Sequence, residues 1–165
     1  MNKEEKATAY HEAGHALVAY RFNHYGGIVT IVPRGNNLGI STSEAEWADE
    51  ESHIEQIIVL YAGFASESKY NKAANKLASS SDDEKAADLL RRTKETESSL
   101  RIKAKEIIDK NWRIIEAIAE TLAVSKTLEE DEWVIIIDAF DEGKDWEEAL
   151  CGMRSAMKLR HNLCE

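Results

Sequence analysis

The chain has 165 residues, 43% of them hydrophobic, and a formal net charge of -10. That length suits one ordinary domain with a proper core. The acidic balance, with no basic stripe to neutralise phosphates, argues against nucleic acid as a partner.

In chain order, the first periodic segment predicts a helix from Glu4 to Phe22, with Ala9, Ala13 and Leu17 and then Ala16 and Tyr20 along an apolar stripe. Within it lies His11-Glu12-Ala13-Gly14-His15, an H-E-x-x-H pattern. Residues four apart share a helix face, so His11 and His15 can aim both imidazoles at one metal ion. Glu12 projects beside them, where a carboxylate can take a proton from water. The pattern points to zinc-dependent hydrolysis. Two hydrogen-bonded histidines on a solvated face are the competing reading. Ala9, Ala13 and Gly14 are small enough to let another backbone approach closely.

Gly26-Gly27 marks a turn, and Ile28 to Val32 reads as a β-branched strand ended by Pro33 to Asn37. Leu38 to Ser43 reads as a second strand, making a small hairpin or meander. Its edge is the expected place for an extended substrate to add as a further strand, with Gly39 permitting close backbone approach. The acidic stretch Glu46 to Glu51, with Trp47, is expected to be a solvated loop leading into a helix from Glu50 to Tyr70. Ile54, Ile57, Ile58, Tyr61 and Ala65 form the apolar face of that helix. A polar loop from Lys76 to Asp83 follows. Ser81 and Glu84 have capping-box spacing, which would make Asp82 the first helical residue.

Helix is expected from there on. Ala86, Leu89 and Leu90 begin one face, and Leu100, Ala104, Ile107, Ile108, Ile114, Ile115, Ile118 and Leu122 carry a longer one. Thr127 and Glu130 have capping-box spacing ahead of Trp133 to Phe140. Gly143 breaks that helix, and Trp146 to Met157 builds the last one. The tryptophans are expected to pack in the core, because no basic residues interleave with them as a stacking platform requires. The expected fold is mainly α (α+β): a helical domain with one small β-sheet and the zinc-binding helix near the N-terminus.

No segment reads as a signal peptide or a membrane span. Cys151 and Cys164 stand thirteen residues apart in one expected helix, about 20 Å by helical rise and too far for a disulfide. A soluble, cytoplasmic protein is expected. His24, His53 and His161 lack metal-ligand spacing and are expected at the surface.

The segment His11 to Val18 resembles the zinc helix of the FtsH-type AAA protease peptidase domain. Val29 to Gly35 with Leu38 to Ser41, Ile58 to Glu67 with its Ala62-Gly63 and Ala65-Ser66-Glu67, and Ser81-Asp82 with Ala86 and Leu89 are similar to three further family segments, in the family's order. The resemblance spans Ala7 to Leu90 and departs at Ala78 and Ser81, where the family carries a glycine-containing turn and an asparagine. It implies a zinc metalloendopeptidase with His11, His15 and Asp82 as metal ligands, Glu12 as the catalytic base, Zn2+ as cofactor and unfolded polypeptide as substrate. Asp83 and Glu67 are competing acids for the third ligand, with Glu67 preferred as a hydrogen-bond partner of a ligand histidine. Residues 1–97 would form the zinc-site part of the domain and residues 98–165 a helical C-terminal part.

No G-x-x-x-x-G-K-[ST] pattern occurs, since Gly143-Lys144 lacks both the upstream glycine and a following Ser or Thr. The chain is therefore expected to work without ATP of its own, on peptides or unfolded segments, or beside a separate ATPase or as a homo-oligomer. A catalytically silent peptide-binding or regulatory module is the alternative, and the intact Glu12 speaks against it.

Overall fold

A computed structural model describes residues 3–24, 26–32, 49–74 and 80–162. Among the described residues the elements run α1 (Lys3–Arg21), β1 (Val29–Thr30), α2 (Glu50–Tyr70), α3 (Ser80–Leu90), α4 (Glu97–Lys110), α5 (Trp112–Ser125), β2 (Thr127–Leu128), α6 (Glu130–Asp141) and α7 (Trp146–Asn162). The architecture is mainly helical with one two-stranded antiparallel sheet. The predicted strand Leu38–Ser43, Trp47 and Cys164 lie outside the described residues.

Helix α1 is the central element, packed on α2 along one side and on α5 along another. The predicted stripe understates its burial, because every residue from Ala9 to Ala19 is buried, polar ones included. Acidic Glu4 and Glu5 occupy its first turn and Arg21 its last, each favourable to the helix dipole. It ends where Asn23 adopts a left-handed φ of 57° and the His24 N–H donates to the Ala19 carbonyl at 2.9 Å. That bond satisfies one of the carbonyls left open at a helix C-terminus.

Helix α2 starts on Asp49, whose side chain accepts from the Ser52 N–H at 2.8 Å. Tyr10 stacks between Tyr70 and Trp112 at 4.2 and 5.4 Å, tying α1 to the end of α2 and the start of α5. Trp133 is fully buried, and its indole N–H donates to the Gly27 carbonyl at 3.1 Å.

Four expectations are corrected. The long apolar face from Leu100 to Leu122 belongs to two helices, α4 and α5, broken at Asn111. There the Asn111 side-chain amide donates to the Ile107 carbonyl at 2.8 Å, and its oxygen accepts from Arg21 at 2.9 Å. A side chain that bonds its own helix backbone and α1 together competes with continuation of the helix. Thr127 is no helix cap. It pairs with Thr30 in the sheet, the two hydroxyls 2.8 Å apart, while the Glu132 carboxylate accepts from the Glu129 N–H at the true start of α6. Lys126, at a left-handed φ of 66°, turns the chain out of α5 and makes the extended pair possible. Among the described residues β1 pairs with β2, nearly a hundred residues away, and it covers only Val29–Thr30 of the five residues predicted, while the expected pairing with Leu38–Ser43 lies outside the described residues. Finally, α3 begins at Ser80, so Asp82 stands within its first turn instead of opening the helix.

Candidate metal centre

The middle of α1 meets α2 at close range because both contribute small residues. A Cβ at Gly14 would lie 2.6 Å from the Ala62 carbonyl oxygen, a separation no side chain tolerates. This close approach brings the imidazoles of His11 and His15 against α2, and each ring is oriented through its Nδ1. His11 Nδ1 lies 3.1 Å from Glu67 Oε2, and the His15 Nδ1–H donates to the Val59 carbonyl at 2.8 Å. Both Nε2 atoms are left facing away from those anchors. They converge on Asp82 of α3, whose Oδ2 lies 3.1 Å from His11 Nε2 and 3.3 Å from His15 Nε2.

The ligand atoms of His11, His15 and Asp82 all lie within 4.8 Å of one another. Two imidazole nitrogens and one carboxylate oxygen form a donor set that zinc takes in catalytic sites, where an open position remains for water. The anchored Nδ1 atoms meet a further requirement, since a ligating histidine usually donates its other N–H to a carboxylate or carbonyl. The residues fit a divalent metal.

The other two acids go elsewhere. Asp83 accepts from Arg101 of α4 at 2.8 Å, and Glu67 stays on His11 Nδ1. His24 pairs with Glu55. Glu12 is 2% exposed, and its Oε2 has no hydrogen-bond partner among the described residues. A buried carboxylate oxygen without a partner is costly, and such groups persist where chemistry uses them.

The charges in this cluster are strongly coupled. Burial acts to lower the His11 pKa, but the carboxylates of Asp82 and Glu67 outweigh it and raise it to about 9. Burial likewise works to raise Asp82, yet His11 and His15 hold it well below the usual carboxylate range. For Glu12 burial wins over the attraction of the two histidines, and its pKa is raised.

Gly63 is a position at the candidate site that composition and spacing leave unmarked, although it falls in one of the segments resembling the family. A Cβ there would sit 2.4 Å from His15 Nε2 and 2.6 Å from His11 Nε2. Its missing side chain is the space in which both Nε2 nitrogens lie. Gly63→Ala should therefore push both rings out of register and cost the centre about 10–100-fold in zinc affinity, by analogy with loss of an orienting partner. Zinc retained on desalting separates the outcomes: a folded Gly63→Ala chain holding stoichiometric metal would show that the rings adapt.

Residues 1–97 match the sequence profile described as Peptidase family M41. The ATP-dependent zinc metalloprotease FtsH of Thermus thermophilus is 44% identical over 71 residues, which is 39% of this chain and 11% of that protein. The protein of the same name from Cupriavidus metallidurans is 36% identical over 95 residues, covering 54% of this chain and 14% of that one. The chain thus spans only about a tenth of the length of the curated relatives it matches.

Proposed function

The chain belongs to peptidase family M41, and we propose that it is a zinc-dependent endopeptidase cleaving unfolded polypeptide by attack of water, without a covalent intermediate. The observation that carries this reading is the convergence of His11 Nε2, His15 Nε2 and Asp82 Oδ2, with the unpartnered carboxylate of Glu12 one residue along the same helix.

In this reading His11, His15 and Asp82 hold the metal, and Glu67 and the Val59 carbonyl keep the two rings aimed. Zinc, when bound, supplies a Lewis acid that polarises the scissile carbonyl and makes water a nucleophile near neutral pH. Glu12 takes a proton from the attacking water as its oxygen bonds to the carbonyl carbon. It then delivers that proton to the departing amine nitrogen as the C–N bond breaks. The burial that raises the Glu12 pKa makes its carboxylate a stronger base than an exposed glutamate.

Residues 1–97 are assigned the site and residues 98–165 its helical support. The relatives are named as ATP-dependent zinc metalloproteases. For this chain we assign the supply of unfolded substrate to an ATPase that works with the peptidase site. Among the described residues no helix is long and apolar enough to cross a membrane. The exposed free thiol of Cys151 suits a reducing compartment, and a cytoplasmic setting completes the proposal.

Unstructured casein is the direct test. The purified chain should degrade it at neutral pH, lose all cleavage in 1,10-phenanthroline and regain it with added Zn2+. Intact casein after incubation with a folded, stoichiometrically zinc-loaded chain would favour the silent-module alternative.

A further inference from the structure

We infer that Arg101 is a positioning residue for the metal centre: it clamps Asp83, and through it the first turn of α3, so that the adjoining Asp82 stays over His11 and His15. The inference rests on the metal-site reading above.

Helix α3 carries the carboxylate that completes the donor set, yet it has little apolar surface with which to dock. Ala86 is fully buried, while Leu89 and Leu90 are only partly so. An alanine methyl removes little area from water, and burial alone leaves the helix weakly fixed against α2. A single guanidinium supplies what burial does not. Arg101 reaches from α4, where Nη2 donates to Asp83 Oδ1 and Nε donates to Glu97 Oε1, both at 2.8 Å. Its central carbon lies 3.9 Å from the centre of the Tyr61 ring. Tyr61 is 3% exposed and sits on α2, two residues before Gly63.

Three helices therefore meet on one planar group: α2 through the aromatic face, α3 through Asp83 and α4 through Arg101 and Glu97. A guanidinium can hold two carboxylates and a ring face together, which an ammonium point charge cannot. The Arg101 side chain is 26% exposed and that of Asp83 29%, so the pair is partly withdrawn from solvent. Asp82 and Asp83 are consecutive on a helix and diverge by about 100° around its axis. One carboxylate points to the histidines and the other to Arg101. Pinning Asp83 sets the rotation of the turn, and with it the aim of Asp82.

A merely structural ion pair would lower stability and leave the metal alone. Two measurements on the full chain separate the roles: Zn2+ affinity by competition with a chromophoric chelator, and amide hydrogen exchange in EDTA. Arg101→Gln and Asp83→Asn should each weaken Zn2+ binding about 10–100-fold, the usual effect of losing a group that orients a ligand. Their combination should be no worse than the larger single loss, because both break one contact. In EDTA, exchange should quicken in α3 (residues 80–90) while α5 keeps its protection. Zinc affinities within about threefold of wild type, or additive losses in the double variant, would overturn the clamp. So would exchange that quickens equally in α5. A wild-type chain that binds no Zn2+ would overturn the metal-site reading and the positioning role with it, while faster exchange confined to α3 in the variants would still show that Arg101 fixes the first turn of that helix.

Discussion

Glu12→Gln is expected to keep its zinc and to lose peptidase activity by about 10²–10⁴-fold, the contribution of a positioned general base. Glutamine has the same shape, so it fills the buried site that leaves Glu12 2% exposed. Its amide cannot take a proton from water or carry one to the leaving nitrogen. Glu12 is no ligand in the proposed arrangement, because both histidine Nε2 atoms turn to Asp82 instead. Folding should not suffer either, since the substitution removes a buried charge whose Oε2 has no partner among the described residues. Turnover of a fluorogenic peptide and zinc content, measured on one preparation, give the answer. Undiminished turnover in a zinc-loaded Glu12→Gln chain would remove Glu12 from the mechanism.

Asp82→Ala is expected to abolish stoichiometric zinc binding. The alanine leaves His11 and His15 facing one another with two donors where a catalytic site uses three. The loss should exceed the roughly 10–100-fold that an outer partner contributes. Asp83→Ala provides the contrast, since that carboxylate goes to Arg101, and it should stay within this smaller range. Equilibrium dialysis against buffered Zn2+ ranks the two variants. The reverse order, with Asp83→Ala metal-free and Asp82→Ala loaded, would move the third ligand by one residue.

Some of this was written in short-range pattern. The spacing of His11 and His15 places their rings on one helical face because 3.6 residues complete a turn. The bounds of α2, Glu50–Tyr70, follow from its apolar period and the acidic run before it. The mainly helical class follows from the same periodicity. Where two local patterns overlap, the sequence alone misleads. Thr127-x-x-Glu130 and Glu129-x-x-Glu132 both have capping-box spacing, and a long-range partner, Thr30, takes Thr127 into the sheet. The apolar face from Leu100 to Leu122 is continuous in sequence, yet the bonds of Asn111 to Ile107 and Arg21 divide it.

By itself, then, the sequence determined the helical class and marked the helix carrying His11, Glu12 and His15 as the candidate metal site, because each is a matter of residue type at fixed local spacing. Tertiary structure fixed what each acid touches, where the residues themselves left three candidates and only the family resemblance favoured Asp82. Asp82, Asp83 and Glu67 are equivalent carboxylates in a sequence, and Asp82 stands 71 positions from His11. Which of them meets the Nε2 atoms depends on how α3 docks on α2, how Arg101 holds Asp83 and how Glu67 reaches the far side of the His11 ring. The same holds for Gly63, whose importance is a volume left empty beside two rings from another helix. Contacts between distant segments carry no period, so they become visible only once the helices are packed.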